Sequence, residues 1–223
     1  MFNWDNIDTV LLDMDGTLLD LRFDNQFWSH SVPHEIARQK QISVAQAKLE
    51  MALQYDAVKG TLNWYCIDYW SEQTQLDIRQ LKADYAHDIV MRSDTVPFLQ
   101  ALKKCNIQRV LLTNAHPDSL AIKIAQTGLD QHLDHIYSTH TFGHCKESVK
   151  LWQALHVHHP FDPERTLFID DNEQLLLVAQ QFGIRYLLGI ENPDSSVPAQ
   201  VFKHCPAIND YDRLTETLVT VNN

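Results

Sequence analysis

The stretch LLDMDGTLLD, residues 11–20, runs from an apolar pair into two aspartates, a glycine and a threonine, and then returns to leucine. Its first residues close a short apolar run, TVLLD at 9–13, and three similar runs follow: RVLLTN at 109–114, RTLFIDD at 165–171 and IRYLLG at 184–189. The first three lack the in-and-out alternation of a half-exposed strand, so they read as strands buried on both faces. Helical patterns at 97–104, 117–128 and 172–183 lie between the later runs, the last two stopped by Gly128 and Gly183. The spacing predicts an α/β fold, a doubly wound, Rossmann-like parallel sheet.

Residues 21–92 break this rhythm, because helical periodicity continues for some seventy residues without a convincing strand. They are expected to form an inserted α-helical subdomain, leaving 1–20 and 93–223 as the α/β core. Within the insertion, SVAQ at 43–46 fits a capping box opening a helix through Val58, and TLNWYCIDYWSEQ at 61–73 reads as a second, aromatic helix. Residues 190–210, carrying Pro193, Pro198 and Pro206, are expected to be a long surface loop.

Composition narrows the function classes. The 29 acidic against 18 basic residues give a net charge of −11, which argues against nucleic acid or an anionic membrane as partner. No apolar run approaches the roughly 20 residues of a membrane helix, and the opening MFNWDNID lacks the features of a signal peptide, so cytoplasmic residence is expected. Cys66, Cys105, Cys145 and Cys205 stand far apart with no CxxC pair; they read as reduced thiols, with neither a zinc knuckle nor a redox motif. The histidines of HVHHP, 156–160, read as a solvated helix end rather than a metal site.

The carboxyl ends of parallel strands share one edge of a sheet, and ligands bind in the crevice there. Asp13, Thr113, Asp170 and Asp171 each stand at or just past such an end. Asp15 follows one step into the loop, Gly16 allows backbone amides to approach an anion, and Lys146 lies near the same edge. Each pair of unit charges about 4 Å apart costs about 4 kcal/mol at an effective dielectric of 20, so a phosphate dianion beside one carboxylate is disfavoured by roughly 8 kcal/mol. One lysine cannot offset that, whereas a hard divalent cation can. The all-oxygen donor set suits Mg2+.

Taken together, LLDMDGTLLD, LLTN, the lysine of HCKES and FIDDN resemble, in order, the four motifs of the haloacid dehalogenase-like phosphohydrolases, and residues 21–92 resemble that family's helical cap. The resemblance implies that Asp13 is the nucleophile and Asp15 the general acid and base. It implies that Gly16, Thr113, Asn114 and Lys146 hold the phosphate, and that Asp13, the Asp15 carbonyl, Asp170 and Asp171 provide the Mg2+ site. Further stretches, among them LRFDNQFW, TNAHPDSLA and STHTFGHCKE, are similar to the bacterial 5′-nucleotidases of the family that act on GMP and IMP. A purine nucleoside monophosphate is therefore the expected partner, with Asn25 and Asn63 as candidate base contacts and Tyr65, Tyr69 and Trp70 mostly packing the insertion itself. The alternatives are a sugar-phosphate phosphatase or phosphomutase on the same core, and a receiver-like phosphoaspartate module, which the large insertion opposes.

Overall fold

In the computed structural model, which describes residues 3–221, the strands form one parallel sheet. Met1 and Phe2, the start of the amino-terminal stretch read above, lie outside the described residues. The strands are β1 (Thr9–Leu12), β2 (Gln108–Thr113), β3 (His135–Ser138), β4 (Thr166–Asp170), β5 (Tyr186–Ile190) and β6 (Ala207–Ile208), in the spatial order β3-β2-β1-β4-β5-β6. The register places Leu12 beside Leu111 on one side and Ile169 on the other, so β1, β2 and β4 end side by side.

Although β1 is buried along its whole length, its residues still divide by parity. Val10 and Leu12 join Leu111, Leu167 and Ile169 on one face, under α7 (Thr95–Lys104) and α11 (Asp212–Val221). Leu11 joins Val110, Leu112 and Phe168 on the other, under α9 (Val149–His158) and α10 (Glu173–Phe182). Helices on both faces are what a continuous apolar strand requires, and α8 (Pro117–Thr127) adds Leu120 to the first layer.

Between β1 and α7 the chain is helical: α1 (Arg22–Gln26) passes through a π-turn into α2 (Val32–Lys40), followed by α3 (Val44–Val58), α4 (Leu62–Tyr65), α5 (Ile67–Thr74) and α6 (Ile78–Asp84). These helices gather a separate apolar cluster that includes Phe27, Val32, Ile36, Met51, Ile67 and Trp70. Entry and exit of the insertion run together: Asp20 N donates to Val90 O (2.9 Å), Arg92 N donates to Leu18 O (3.0 Å), and Leu19 bridges Met91 antiparallel. The loop after β5 clasps both strands of this ribbon, through Leu21 N to Pro193 O (2.8 Å) and the Arg92 guanidinium to Asn192 O (2.8 Å).

Four local expectations are revised. The aromatic stretch 61–73 is two helices, because Cys66 is extended and its sulfur instead accepts from Tyr69 N (3.5 Å) to open α5. Only half of the capping box forms: Ser43 Oγ accepts from Gln46 N (3.2 Å), but the Gln46 amide turns to Glu50. The half-exposed edge strand β3 adds a strand to those read from sequence, and the short β6 interrupts the expected loop 190–210. No described helix is long and apolar enough to cross a membrane.

Candidate active site

The end of β1 delivers Asp13 to the sheet edge, where its main-chain N–H still bonds Ile169 O (2.9 Å). The chain then doubles back, Leu18 and Leu19 both donating to Met14 O, and this tight return holds Asp15 beside Asp13. Gly16 makes the return possible: its φ is +86°, and a Cβ there would stand 2.7 Å from Asp171 Oδ2 and 2.9 Å from Pro193 Cβ.

Lys146 is 2% exposed and its ammonium bridges Asp13 Oδ1 and Asp170 Oδ2, the latter at 2.6 Å. Burial alone would lower its pKa, but the two carboxylates hold it above the ordinary lysine value. Asp170 is fixed by a second bond, accepting from Asn172 N (2.8 Å) at the start of α10. Carboxylate oxygens of Asp13, Asp170 and Asp171 all lie within 4.8 Å of one another. Burial, with Asp170 and Asp13 close by, drives the Asp171 carboxyl well above its usual range. Three oxygen donors that repel one another and have one lysine between them fit a hard cation such as Mg2+.

Burial raises Asp13 to about 6, Asp170 adding to it and Lys146 opposing. Asp15 also rises to about 6, through burial and the nearby Asp24 and Asp13, against the pull of Lys123. A carboxyl of this kind can hold a proton near neutrality and give it up within the reaction.

Thr113 is buried at the end of β2, its hydroxyl accepting from Ala115 N (3.0 Å). The Asn114 side chain is engaged by protein: Oδ1 accepts from Lys146 N (2.9 Å) and Thr139 Oγ1 (3.0 Å), and Nδ2 donates to Glu147 (3.1 Å). It therefore holds the lysine loop in place. Asp13, Asp15, Thr113, Asn114 and Lys146 line one wall of a cavity of about 340 Å3, and Asn25, Trp28, Tyr55, Tyr65 and Trp70 from the insertion line another. The Asn25 amide nitrogen donates to Asp194 (2.7 Å), whereas Asn63 is exposed on α4 and Tyr69 lies outside the lining. The histidines of HVHHP lie apart from the site, His159 bonding Gln108 and Tyr137.

Three charged residues of the cavity wall escaped the sequence reading. Lys123 Nζ donates to Asp15 (2.6 Å) and to Asp24 (2.6 Å), and Lys82 Nζ donates to the other oxygen of Asp24 (2.8 Å). A line of alternating charge thus runs from Asp15 into the insertion. The signal was present: Lys123 falls four residues after Ser119 on the buried face of α8, and Lys82 four after Ile78 on that of α6.

Comparison with known proteins settles the lineage of this arrangement. A family model described as haloacid dehalogenase-like hydrolase matches residues 7–183. The chain belongs to that hydrolase family. This hydrolase is 52% identical over 216 residues to the GMP/IMP nucleotidase YrfG of Escherichia coli K12, covering 97% of each chain, and equally to that of Shigella flexneri. In fold it is similar to a phosphatase of the family from Thermococcus onnurineus, with a TM-score of 0.77 at 19% identity over 95% of this chain and 98% of the other. It also resembles the L-2-haloacid dehalogenase of Xanthobacter autotrophicus, with a TM-score of 0.62 at 16% identity over 96% and 98% of the two chains.

Proposed function

We propose that this hydrolase is a Mg2+-dependent phosphomonoesterase that releases phosphate from 6-oxopurine nucleoside 5′-monophosphates, GMP and IMP, with residues 21–92 acting as a cap over the site. The observation that carries the reading is the pair Asp13, buried, and Asp15, half-buried, both lining a cavity whose far wall is aromatic.

In this reaction Asp13 attacks phosphorus in line with the ester bond and takes the phosphoryl group as an aspartyl phosphate, while Asp15 gives its proton to the departing ribose oxygen. Asp15 then removes a proton from water, which hydrolyses the aspartyl phosphate and returns Asp13. Lys146 orients the Asp13 carboxylate and offsets phosphate charge, and Thr113 offers a hydroxyl at the neighbouring strand end. Asp13, Asp170, Asp171 and the Asp15 carbonyl would hold Mg2+, which supplies charge neutralisation for the phosphoryl oxygens.

Trp28 and Tyr55 offer apolar surface to a purine, with the buried Trp70 packed behind them. Asn25, also in the lining, is the candidate for its polar edge; Asn63 lies outside that lining. A site built for O6 and the N1 hydrogen leaves buried groups unpaired against AMP, at about 1–3 kcal/mol each.

The test is phosphate release from GMP, IMP, AMP and a hexose phosphate with Mg2+ and with excess chelator. GMP and IMP are expected to lead by tenfold or more, and the chelator to stop turnover. Equal rates within a few fold would replace the nucleotidase reading by a general sugar-phosphate phosphatase. Asp13→Asn is expected to fold and to be inactive, and full activity in it would end the covalent mechanism.

A further inference from the structure

Beyond the aspartate site, a second group of metal-ligating side chains lies where the insertion meets the sheet. Cys66 comes from the junction of α4 and α5, His116 from the N-cap of α8, and His140 from the turn after β3. One ligand atom from each lies within 4.8 Å of the other two. We propose that Cys66, His116 and His140 form a binding site for zinc that fastens the helical insertion to the sheet domain.

The ligand chemistry and the surroundings both point to that ion. One sulfur and two imidazole nitrogens suit zinc and are poor partners for magnesium. His140 Nε2 is buried and has no hydrogen-bond partner among the described residues. A buried imidazole nitrogen left bare beside a thiol and a second imidazole is suited to a metal ion.

His116 Nδ1 caps α8, accepting from Asp118 N (3.3 Å), so binding through Nδ1 would replace that cap bond and leave Nε2 to donate toward Asp68, 3.5 Å away. Arg79 pairs with both acids and offsets one of their two charges on the side away from the ligands. Binding replaces the Cys66 thiol proton, which leaves to solvent, by a sulfur–zinc bond. Ligand atoms around tetrahedral zinc stand roughly 3.3–3.8 Å apart, so closing the present spread takes about one ångström of side-chain movement. Because Cys66 belongs to the insertion and both histidines to the sheet domain, the bound ion would hold the two parts together.

Cobalt(II) reports the site, since a thiolate ligand gives a charge-transfer band that an all-oxygen site cannot produce. The full-length protein, saturated with Mg2+, is titrated with Co2+ and then with Zn2+. The expected result is one equivalent of cobalt with thiolate charge transfer and intense four-coordinate bands, displaced by zinc. Asp171→Asn should keep the band, Cys66→Ser should lose it, and His140→Ala should weaken cobalt binding by tenfold or more. Circular dichroism establishes that each variant is folded, and phosphate release without zinc that Cys66→Ser and His140→Ala keep a working aspartate site. A band that persists in Cys66→Ser, unchanged affinity in His140→Ala, or weak six-coordinate bands alone would overturn the proposal. None of these readouts depends on which phosphate ester the hydrolase prefers.

Discussion

Gly16 carries two constraints at once, a positive φ and a side of the backbone pressed against Asp171 and Pro193. Alanine there would bear about 1–2 kcal/mol of left-handed strain and would also push the Asp171 carboxylate aside. Gly16→Ala is expected to raise the Mg2+ concentration for half-maximal activity and to lower kcat by tenfold or more, and an unchanged Mg2+ dependence would refute the argument. Asn114 teaches the converse lesson about residue roles. From sequence it stands beside Thr113 as a phosphate ligand, whereas its amide is spent on Lys146, Thr139 and Glu147. A side chain's neighbours in the chain give its address but leave open where its hydrogen bonds go.

At the scale of elements, the central strands were legible because β1, β2 and β4 are apolar throughout, and their ends placed Asp13, Thr113 and Asp170 on one edge. The edge strands were not, since β3 is half-exposed and β6 has two residues. Nor did spacing reveal Cys66 with His116 and His140, which come from three distant segments and share no local pattern. The most consequential tie between elements is Asp24, held on α1 between Lys82 of α6 and Lys123 of α8. Burial would raise its pKa, but the two ammonium groups more than offset this and hold it below the ordinary value. Its contribution to stability is therefore complete above the unfolded value of 3.8 and is lost as pH falls toward the lower folded value. Asp24→Asn, which strands two buried lysines, is expected to cost about 3–5 kcal/mol at neutral pH. Denaturant melts of both proteins should show that gap narrowing below pH 3.8; a constant gap would mean that Asp24 is not ionised in the folded protein.

Across the whole molecule, the insertion and the sheet domain meet through apolar residues such as Phe23 and Ile89 and through polar contacts around the cavity. Tyr65 donates to Glu147 (2.6 Å), Arg79 pairs with Asp118, and the Cys145 thiol donates to Gly60 O (3.3 Å). The first involves a part-buried carboxylate, and such charged hydrogen bonds are worth about 1.5–3 kcal/mol. If residues 21–92 close over the site as the cap proposed above, Tyr65→Phe is expected to weaken that closure by roughly 10- to 100-fold, seen as a raised KM, and a native KM would overturn this role for Tyr65. The ribbon at the base of the insertion has a different consequence. Because Asp20 and Val90 already bond across it, everything between them hangs from two adjacent backbone positions, and a turn of a few residues could join them directly. The insertion is in this sense a removable cassette: its apolar cluster is largely its own, and the sheet's register does not pass through it. A chain shortened to such a turn is expected to keep its parallel sheet, with Phe23 and Ile89, and the partly buried Tyr85 and Ala86, withdrawn from the sheet domain's core. Its aspartates would open to bulk water, so that one gene could exchange lids without rebuilding the reaction centre.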